Sequence, residues 1–266
     1  MGAHGRMEAS SLDKRPFAID TAGMLRALAL ETSGRIGSVA LVEGDKVVAT
    51  DAFEHGLQHA ATILPMIDRL ATARGWSPGE IEQVYVSAGP GSFTGLRIGI
   101  TLAKTLALSI GAKIIAIEST RVLLQNVPAE AREAIIVLDA KRGQIFTARY
   151  TRNPGASPDD VKNAWIESER EHLDTLANML NRAGRPVHLI GEGIPYHREA
   201  IPDIPQVIVT DESLWRCRAE AVALLGIDLA RSNAFADPYK LTPIYVRLPE
   251  AEEKRLNAVN SQGMSS

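Results

Sequence analysis

Two short turns in this 266-residue chain carry side chains that could face a phosphate group. Thr32 and Ser33 follow an apolar run, which would place their hydroxyls and free backbone N–H groups at a hairpin tip. Asp139 ends a second apolar run and is followed by the basic Lys141. A hydroxyl-rich turn without a ligand explains the first pair better when it is taken alone. The Gly-Glu-Gly sequence at 191–193 could also face a nucleotide, but a plain turn is favoured. Thr32, Ser33 and Asp139 are therefore the candidates for phosphate-facing residues.

Other residues that could do chemistry lack the partners that such chemistry needs. His55 and His59 are four residues apart, a spacing that can place two imidazoles on one metal ion. Neither a third ligand nor the acidic residue of a zinc-protease helix accompanies them, so exposed or helix-start histidines are favoured. Cys217 is the single cysteine, which excludes an internal disulfide and is typical of a reducing cytoplasm; we expect it to be buried on a helix. We predict no metal site and no catalytic residue.

Residues 87–100 place a Gly-Pro-Gly turn between a β-branched strand and a long helix predicted over 94–109. Ser92 is positioned to cap this helix by accepting a hydrogen bond from a free N–H group. Small residues recur every four positions and share one helix face; they are Gly91, Gly95, Gly99, Ala103 and Ala107. Glycine inside a helix costs about 1 kcal/mol relative to alanine, so another backbone must approach closely. That backbone belongs either to the chain's own sheet or to a second helix, and a Walker phosphate loop is disfavoured because its lysine is missing.

The composition is that of an ordinary globular protein, with 45% apolar and 23% charged residues. The net charge of −3 argues against a broad nucleic-acid-binding surface on this chain alone. We find no apolar run of membrane-spanning length, and residues 1–23 lack the apolar core of a signal peptide.

Both halves of the chain open with short strands joined by tight polar turns. These strands are predicted over 25–30, 36–42 and 46–53 in the first half and over 134–138 and 145–151 in the second. The repetition indicates an α/β fold of two lobes, each built on a mixed sheet flanked by helices. The predicted division is a flexible tail (1–23), a first lobe (24–118, completed by a helix at 213–232), a second lobe (119–212) and an extended C-terminal segment and tail (233–266).

A helix predicted over 57–74 has a wider apolar stripe than a single surface helix needs, and Pro65 should kink it. A further helix is predicted over 168–181. The wide apolar stripe indicates that the helix at 57–74 packs against a second element in addition to its own sheet.

Several segments resemble the TsaB (YeaZ) family of bacterial proteins required for threonylcarbamoyladenosine in tRNA. The highly specific segment is GPGSFTGLRIG at 89–99. Supporting segments lie at 28–33, 58–67, 139–146 and 243–247. The resemblance extends over 25–247 and implies the actin/sugar-kinase/Hsp70-like fold, which agrees with the repeated strand pattern.

The resemblance implies a partner subunit and not a catalyst. The related TsaD family carries a histidine-rich metal motif after a similar Gly-Pro-Gly helix, and the corresponding stretch here, 118–124, has no histidine. In the family, TsaB pairs with a TsaD-like catalytic subunit, and a TsaE-like ATPase joins them. The complex transfers a threonylcarbamoyl group from its adenylate to adenosine of tRNA. For this chain the resemblance implies no cofactor of its own, ATP at the partner or the complex, tRNA contact only through the complex, a homodimer when alone, and no membrane.

The family's interface uses the helices that correspond to 57–74 and 94–109, which suggests a function for both apolar faces. The resemblance therefore implies a partner interface formed by Ile63, Met66, Ile67, Leu70, Gly91, Gly95, Gly99 and Ala103. Leucine in place of Gly95 or Gly99 is then expected to block association and leave the monomer folded. The alternative is a stand-alone ATPase or phosphotransferase of the same fold that uses Thr32, Ser33 and Asp139. Against it, Glu31 stands where active members of the fold carry an aspartate.

Overall fold

The structure, a computed structural model, describes residues 24–54, 59–156 and 164–245. The predicted tail at 1–23, His55 and residues 246–266 lie outside the described residues. His59 begins the first helix, but its side chain is likewise not described.

The first sheet opens with the predicted antiparallel strands. It contains β1 (Arg26–Glu31), β2 (Ile36–Glu43), β3 (Lys46–Glu54), β4 (Gln83–Gly89) and β5 (Lys113–Glu118) in the order β3-β2-β1-β4-β5. β1, β2 and β3 pair antiparallel, whereas β4 is parallel to β1 and β5 is parallel to β4. The prediction of three consecutive antiparallel strands is confirmed.

The second sheet repeats this arrangement. Its strands are β6 (Glu133–Ile136), β7 (Leu138–Asp139), β8 (Ile145–Arg152), β9 (Trp165–Asp174), β10 (Val187–Ile190) and β11 (Val207–Val209). β6, β8 and β9 pair antiparallel in succession, β10 is parallel to β6, and β11 is parallel to β10. The order β9-β8-β6-β10-β11 therefore matches that of the first sheet, with the short β7 added beside β8. The predicted fold class, a two-lobed α/β protein with mixed sheets, is confirmed.

Helices cover both faces of the first sheet. They are α1 (His59–Ala73) and α2 (Phe93–Ile110) on one face, and α3 (Ser119–Leu124) and α5 (Ala219–Arg231) on the other; α4 (Leu176–Arg182) lies in the second lobe. Leu28 and Leu30 of β1 pack under α1 and α2, and Ala27 and Ala29 pack on the opposite face. β1 is thus buried from both sides. The apolar cluster on the face covered by α3 and α5 continues into the second sheet.

Three local predictions need correction. The helix predicted over 168–181 begins only at Leu176, because the residues before it pair with β8 as part of β9. Cys217 is buried as expected, but it lies before α5 begins and not on that helix. No apolar run of membrane-spanning length was expected, but α2 is long and apolar enough to cross a membrane by length and composition alone.

An extended segment returns from α5 to the first sheet. The N–H of Ala236 donates to the carbonyl of Ile114 on the edge strand β5, at 2.8 Å, and the N–H of Ile244 donates to the carbonyl of Ala88 at 2.7 Å. Tyr245 then stacks on Phe93 at the start of α2, with ring centroids 5.1 Å apart. The segment therefore holds the Gly-Pro-Gly turn and the beginning of α2 in place.

Candidate functional site

The turns after β1 and β7 lie in one cleft between the lobes. This cleft has a volume of about 370 Å³. Ser33 and Ser92 contribute to its wall from the first lobe, and Asp139, Lys141 and Tyr196 contribute from the second. The repeated sheet arrangement explains why the two turns lie close together, because corresponding strand ends of the two sheets face each other. Ser33 and Asp139, two of the three predicted phosphate-facing residues, are thus brought together.

Thr32 is placed elsewhere than predicted. It is 3% exposed and is absent from the described lining of the cleft. A Cβ atom at Gly99 of α2 would lie 2.4 Å from the Thr32 Oγ1, so this hydroxyl faces the helix. Successive side chains of an extended strand point to opposite sides, which explains why Thr32 and Glu31 diverge.

The β1–β2 turn binds carboxylates of its own chain. Glu31 Oε1 accepts hydrogen bonds from the backbone N–H of Ser33 at 2.5 Å and from its hydroxyl at 2.6 Å. The N–H of Gly34 is also directed at this carboxylate. The next N–H, that of Arg35, donates to Glu192 Oε2 at 3.0 Å. The donors that could hold a phosphate at this turn are therefore already engaged.

Glu31 is completely buried, which raises the pKa of its carboxyl above the ordinary value. Hydrogen bonds from Ser33, Ser87 and Gly34 act in the opposite direction without reversing the shift. Within the part of the chain that the structure describes, Glu31 Oε2 has no hydrogen-bond partner. Glu31 thus belongs to the interior of the turn and does not face the cleft as a free anion.

Asp139 is held by neighbouring bases. Its Oδ2 lies 2.5 Å from the Lys141 Nζ, and its Oδ1 accepts from the Lys141 backbone N–H at 3.1 Å. His197 Nε2 lies 3.5 Å from Oδ1. Burial by itself would raise the pKa of Asp139, but the contacts with Lys141 and His197 outweigh it and lower that pKa. Asp139 is therefore an ionised and paired carboxylate at the cleft wall.

The residues predicted for the partner interface are buried inside this chain. The buried members are Ile63, Met66, Ile67, Gly95, Gly99 and Ala103, and Leu70 and Gly91 are half-buried. A Cβ atom at Gly91 would lie 2.5 Å from the Ser33 carbonyl oxygen. The small-residue face thus lies on the chain's own sheet and turn, which was the first of the two alternatives. α1 and α2 use Ile63, Met66, Ile67 and Ala103 to cover the first sheet, so of the predicted set only Leu70 and Gly91 stay partly exposed in the monomer.

α1 and α2 expose a different surface, which we call the outer face and define as Leu64, Ile98, Thr101, Thr105 and Leu108. Leu64 and Leu108 are 53% and 56% exposed. The two threonines are exposed and Ile98 is half-buried. Only a third of the apolar helix α2 is buried in this chain. The five residues of the outer face are uncharged, and the exposed Asp68 and Arg97 lie one helical turn from Leu64 and Thr101.

Side-chain contacts fix the orientation of this face. Arg69 binds Asp51 of β3 on the side of α1 that faces away from α2. Lys104 donates to the Leu241 carbonyl on the far side of α2, next to β5. Helical spacing places Leu64 and Ile98 opposite these contacts, so both face the groove between the two helices.

No group of three or more His, Cys, Asp or Glu residues in 24–54, 59–156 and 164–245 is arranged to hold a metal ion. Cys217 lies against the Ser119 carbonyl, with 3.5 Å between sulfur and oxygen, and burial raises the pKa of its thiol. Its environment is that of a buried structural residue.

Sequence reasoning missed Glu192, Arg35 and Tyr196. For Glu192, the sequence feature that indicates a role is the Gly-Glu-Gly turn after β10. This turn occupies the same place in the second sheet as the Gly-Pro-Gly turn after β4 in the first. Gly191 and Gly89 both have positive φ, at 133° and 114°. The first glycine of each turn therefore adopts a conformation that other residues rarely take.

The chain is similar to known proteins over most of its length. The sequence profile of the family described as "TsaD: tRNA N6-adenosine threonylcarbamoyltransferase" matches residues 54–252. The tRNA threonylcarbamoyladenosine biosynthesis protein TsaB of Bacillus subtilis is 31% identical over 231 residues, which are 85% of this chain and 96% of that protein. TsaB of Escherichia coli is 34% identical over 150 residues, 55% of this chain and 61% of that protein.

Among solved structures, YeaZ from Pseudomonas aeruginosa superposes with a TM-score of 0.67 at 24% identity, covering 84% of this chain and all of that one. This likeness shows the fold, which is the predicted arrangement of two lobes built on mixed sheets.

Proposed function

The chain belongs to the TsaB family of tRNA threonylcarbamoyladenosine biosynthesis proteins, and we propose that it is the non-catalytic partner subunit of a TsaD-type enzyme. Its role in tRNA threonylcarbamoyladenosine biosynthesis follows from the family, and that role implies partnership with a TsaD-type subunit. The match to nearly the whole of the Bacillus subtilis protein is the observation that carries this assignment.

Two features of the cleft support a non-catalytic role. The N–H groups of Ser33 and Arg35 are bound by the chain's own carboxylates. Asp139 is paired with Lys141, which opposes its use as a base or a metal ligand. A phosphotransferase of this fold would need such donors and acids to be free for its nucleotide.

The outer face is the proposed docking surface for the TsaD-type subunit. It lies on the two helices that the family resemblance implies, but its residues are those that the monomer leaves exposed. Leu64 and Leu108 supply apolar area, and the threonines are small uncharged side chains that a partner helix can approach closely. In the absence of that subunit, a second copy of this chain would cover the same face and form a homodimer.

The remaining parts of the proposal follow the family. A TsaE-like ATPase joins the pair, ATP binds at the partner or the complex, and tRNA is contacted only through the complex. The chain then works in the cytoplasm, where tRNA is modified, and needs no cofactor of its own.

Size-exclusion chromatography with light scattering tests the partnership. The full chain is mixed with the TsaD-like protein of its own organism, and the mass of the eluted species is measured. Co-elution as a complex is the expected result. Separate elution of the two proteins at micromolar concentration would contradict the proposal.

A further inference from the structure

Three successive N–H groups of the β1–β2 turn, from Ser33 to Arg35, point at carboxylates. Such runs of backbone donors form concave anion-binding sites. The first two face Glu31 of the same lobe, whereas the third, at Arg35, faces Glu192 of the other lobe at 3.0 Å. One of the two anions at this turn is therefore contributed across the interlobe cleft.

The backbone that carries Glu192 is fixed against the second sheet. A Cβ atom at Gly191 would lie 2.3 Å from the Val137 carbonyl oxygen, and one at Gly193 would lie 2.6 Å from the Asp139 nitrogen. The Gly193 N–H also donates to the Val137 carbonyl at 2.9 Å. The backbone on both sides of Glu192 is thus fixed by the close approach of two glycines to the backbone of Val137 and Asp139.

A second contact between the lobes, from Arg35 to Tyr196, lies beside the contact from Arg35 to Glu192. The Arg35 guanidinium donates to the Tyr196 hydroxyl, and it lies 5.6 Å from the centre of the Tyr196 ring. Lys141 lies over the same ring at 5.1 Å. Arg35 therefore binds the second lobe through both its backbone and its side chain.

Glu192 is half-buried at the wall of the cleft. Burial raises the pKa of its carboxyl, and the Arg35 N–H and the charges of Arg216 and Arg35 oppose this shift without cancelling it. The Glu192 carboxyl group fills the volume and accepts the hydrogen bond that would otherwise be available to a free oxyanion.

We propose that Glu192 is an internal substitute for a ligand oxyanion, which closes the two lobes on the β1–β2 turn without any ligand. The cleft then contains a latent site for a tetrahedral oxyanion such as inorganic phosphate, formed by the Arg35 N–H and guanidinium. Removal of the Glu192 side chain opens this site. The inference is independent of the proposed partner role.

Hydrogen–deuterium exchange at the Arg35 amide tests the proposal on the full chain, with Glu192→Ala and inorganic phosphate as the probe. We expect the Arg35 amide to exchange faster in Glu192→Ala than in the wild type. Phosphate at about ten times its dissociation constant should then slow the exchange of the variant about tenfold, because only the closed form binds it. The wild type should show no phosphate effect, because its own carboxylate fills the site.

Wild-type exchange rates in Glu192→Ala, or fast exchange that phosphate does not slow, would overturn the proposal. Glu192→Gln covers the case in which the alanine variant does not fold. The glutamine keeps an acceptor for the Arg35 N–H but removes the charge, and bonds to charged acceptors are stronger. Faster Arg35 exchange in Glu192→Gln than in the wild type supports the proposal, and equal exchange contradicts it.

Discussion

The carboxylate of Glu31 accepts hydrogen bonds from both the backbone N–H and the hydroxyl of Ser33, at 2.5 and 2.6 Å. This relationship turns a potential phosphate-binding turn into a closed internal motif. The hydroxyl and the N–H that the sequence suggests for a ligand serve instead to solvate a buried acid.

The isolated chain is expected to show no ATP hydrolysis that depends on Asp139. Asp139→Ala should leave phosphate release at the wild-type rate, because Lys141 already pairs with this carboxylate. Asp68→Ala, which changes an exposed acid on α1, is the matched control. Robust hydrolysis that Asp139→Ala abolishes and Asp68→Ala preserves would support the stand-alone ATPase instead.

Gly91→Ala should destabilise the monomer by about 1–3 kcal/mol in free energy of unfolding. The added Cβ would lie 2.5 Å from the backbone oxygen of Ser33, which cannot move without disturbing the turn. Gly79→Ala is the control, since nothing lies within 4 Å of its Cβ position. Denaturant titration of both variants gives the comparison, and equal midpoints would refute the close approach.

The same geometry revises the expectation for leucine at Gly95 or Gly99. Both positions are buried, and the Cβ position at Gly99 already overlaps the Thr32 hydroxyl. Leucine at Gly99 should therefore lower the stability of the monomer itself, and not only block association. A Gly99→Leu variant with the wild-type unfolding midpoint would show that the small-residue face is free after all.

Leu64→Asp and Leu108→Asp should weaken binding to the TsaD-type subunit at least about tenfold each and leave the monomer stable. Both side chains are more than half exposed, so a charge there is tolerated until a partner buries it. Leu224→Asp on α5, at a leucine that is 46% exposed, is the matched control. Titration calorimetry measures the affinities. Unchanged binding by both outer-face variants would place the interface elsewhere.

Glu171 should make the stability of the fold depend on pH near neutrality. Burial raises the pKa of this carboxyl to about 7, with further increases from Glu118 and Glu167, although Thr120 donates to it at 2.5 Å. The folded chain therefore holds this proton more tightly than the unfolded chain, whose pKa is near 4.5. The resulting stabilisation is fully present below that value and is lost as the pH rises through about 7.

Comparison of the wild type with Glu171→Gln isolates this effect. From about pH 5 to about pH 8, the wild type should lose about 1–3 kcal/mol of unfolding free energy relative to the variant. Denaturant titrations at several pH values provide the measurement. Parallel pH profiles of the two proteins would show that Glu171 titrates normally.

Local patterns predicted much of the fold. Short apolar runs joined by tight polar turns identified β1, β2 and β3. Ser92 caps α2 as predicted, by accepting from the Gly95 N–H at 3.3 Å. The error at 168–174 has a physical cause, because the pairing of these residues with β8, not their own propensity, decides that they form a strand.

The site was harder to predict because its contacts are remote in sequence. Spacing by four indicated a close approach to the small-residue face, but not that the Ser33 backbone lies against Gly91 and the Thr32 side chain against Gly99. Glu192 reaches Arg35 across 157 positions of sequence, and no local pattern indicates that contact.

Reconstituted modification of tRNA tests the central claim most directly. The TsaD-like and TsaE-like proteins of the same organism are incubated with ATP, tRNA and threonylcarbamoyl-adenylate, with and without this chain, and modified adenosine is quantified. We predict modified tRNA only when this chain is present, and its loss when Leu64→Asp and Leu108→Asp are combined in the chain. Equal modification with and without the chain would contradict its assignment as the required partner subunit.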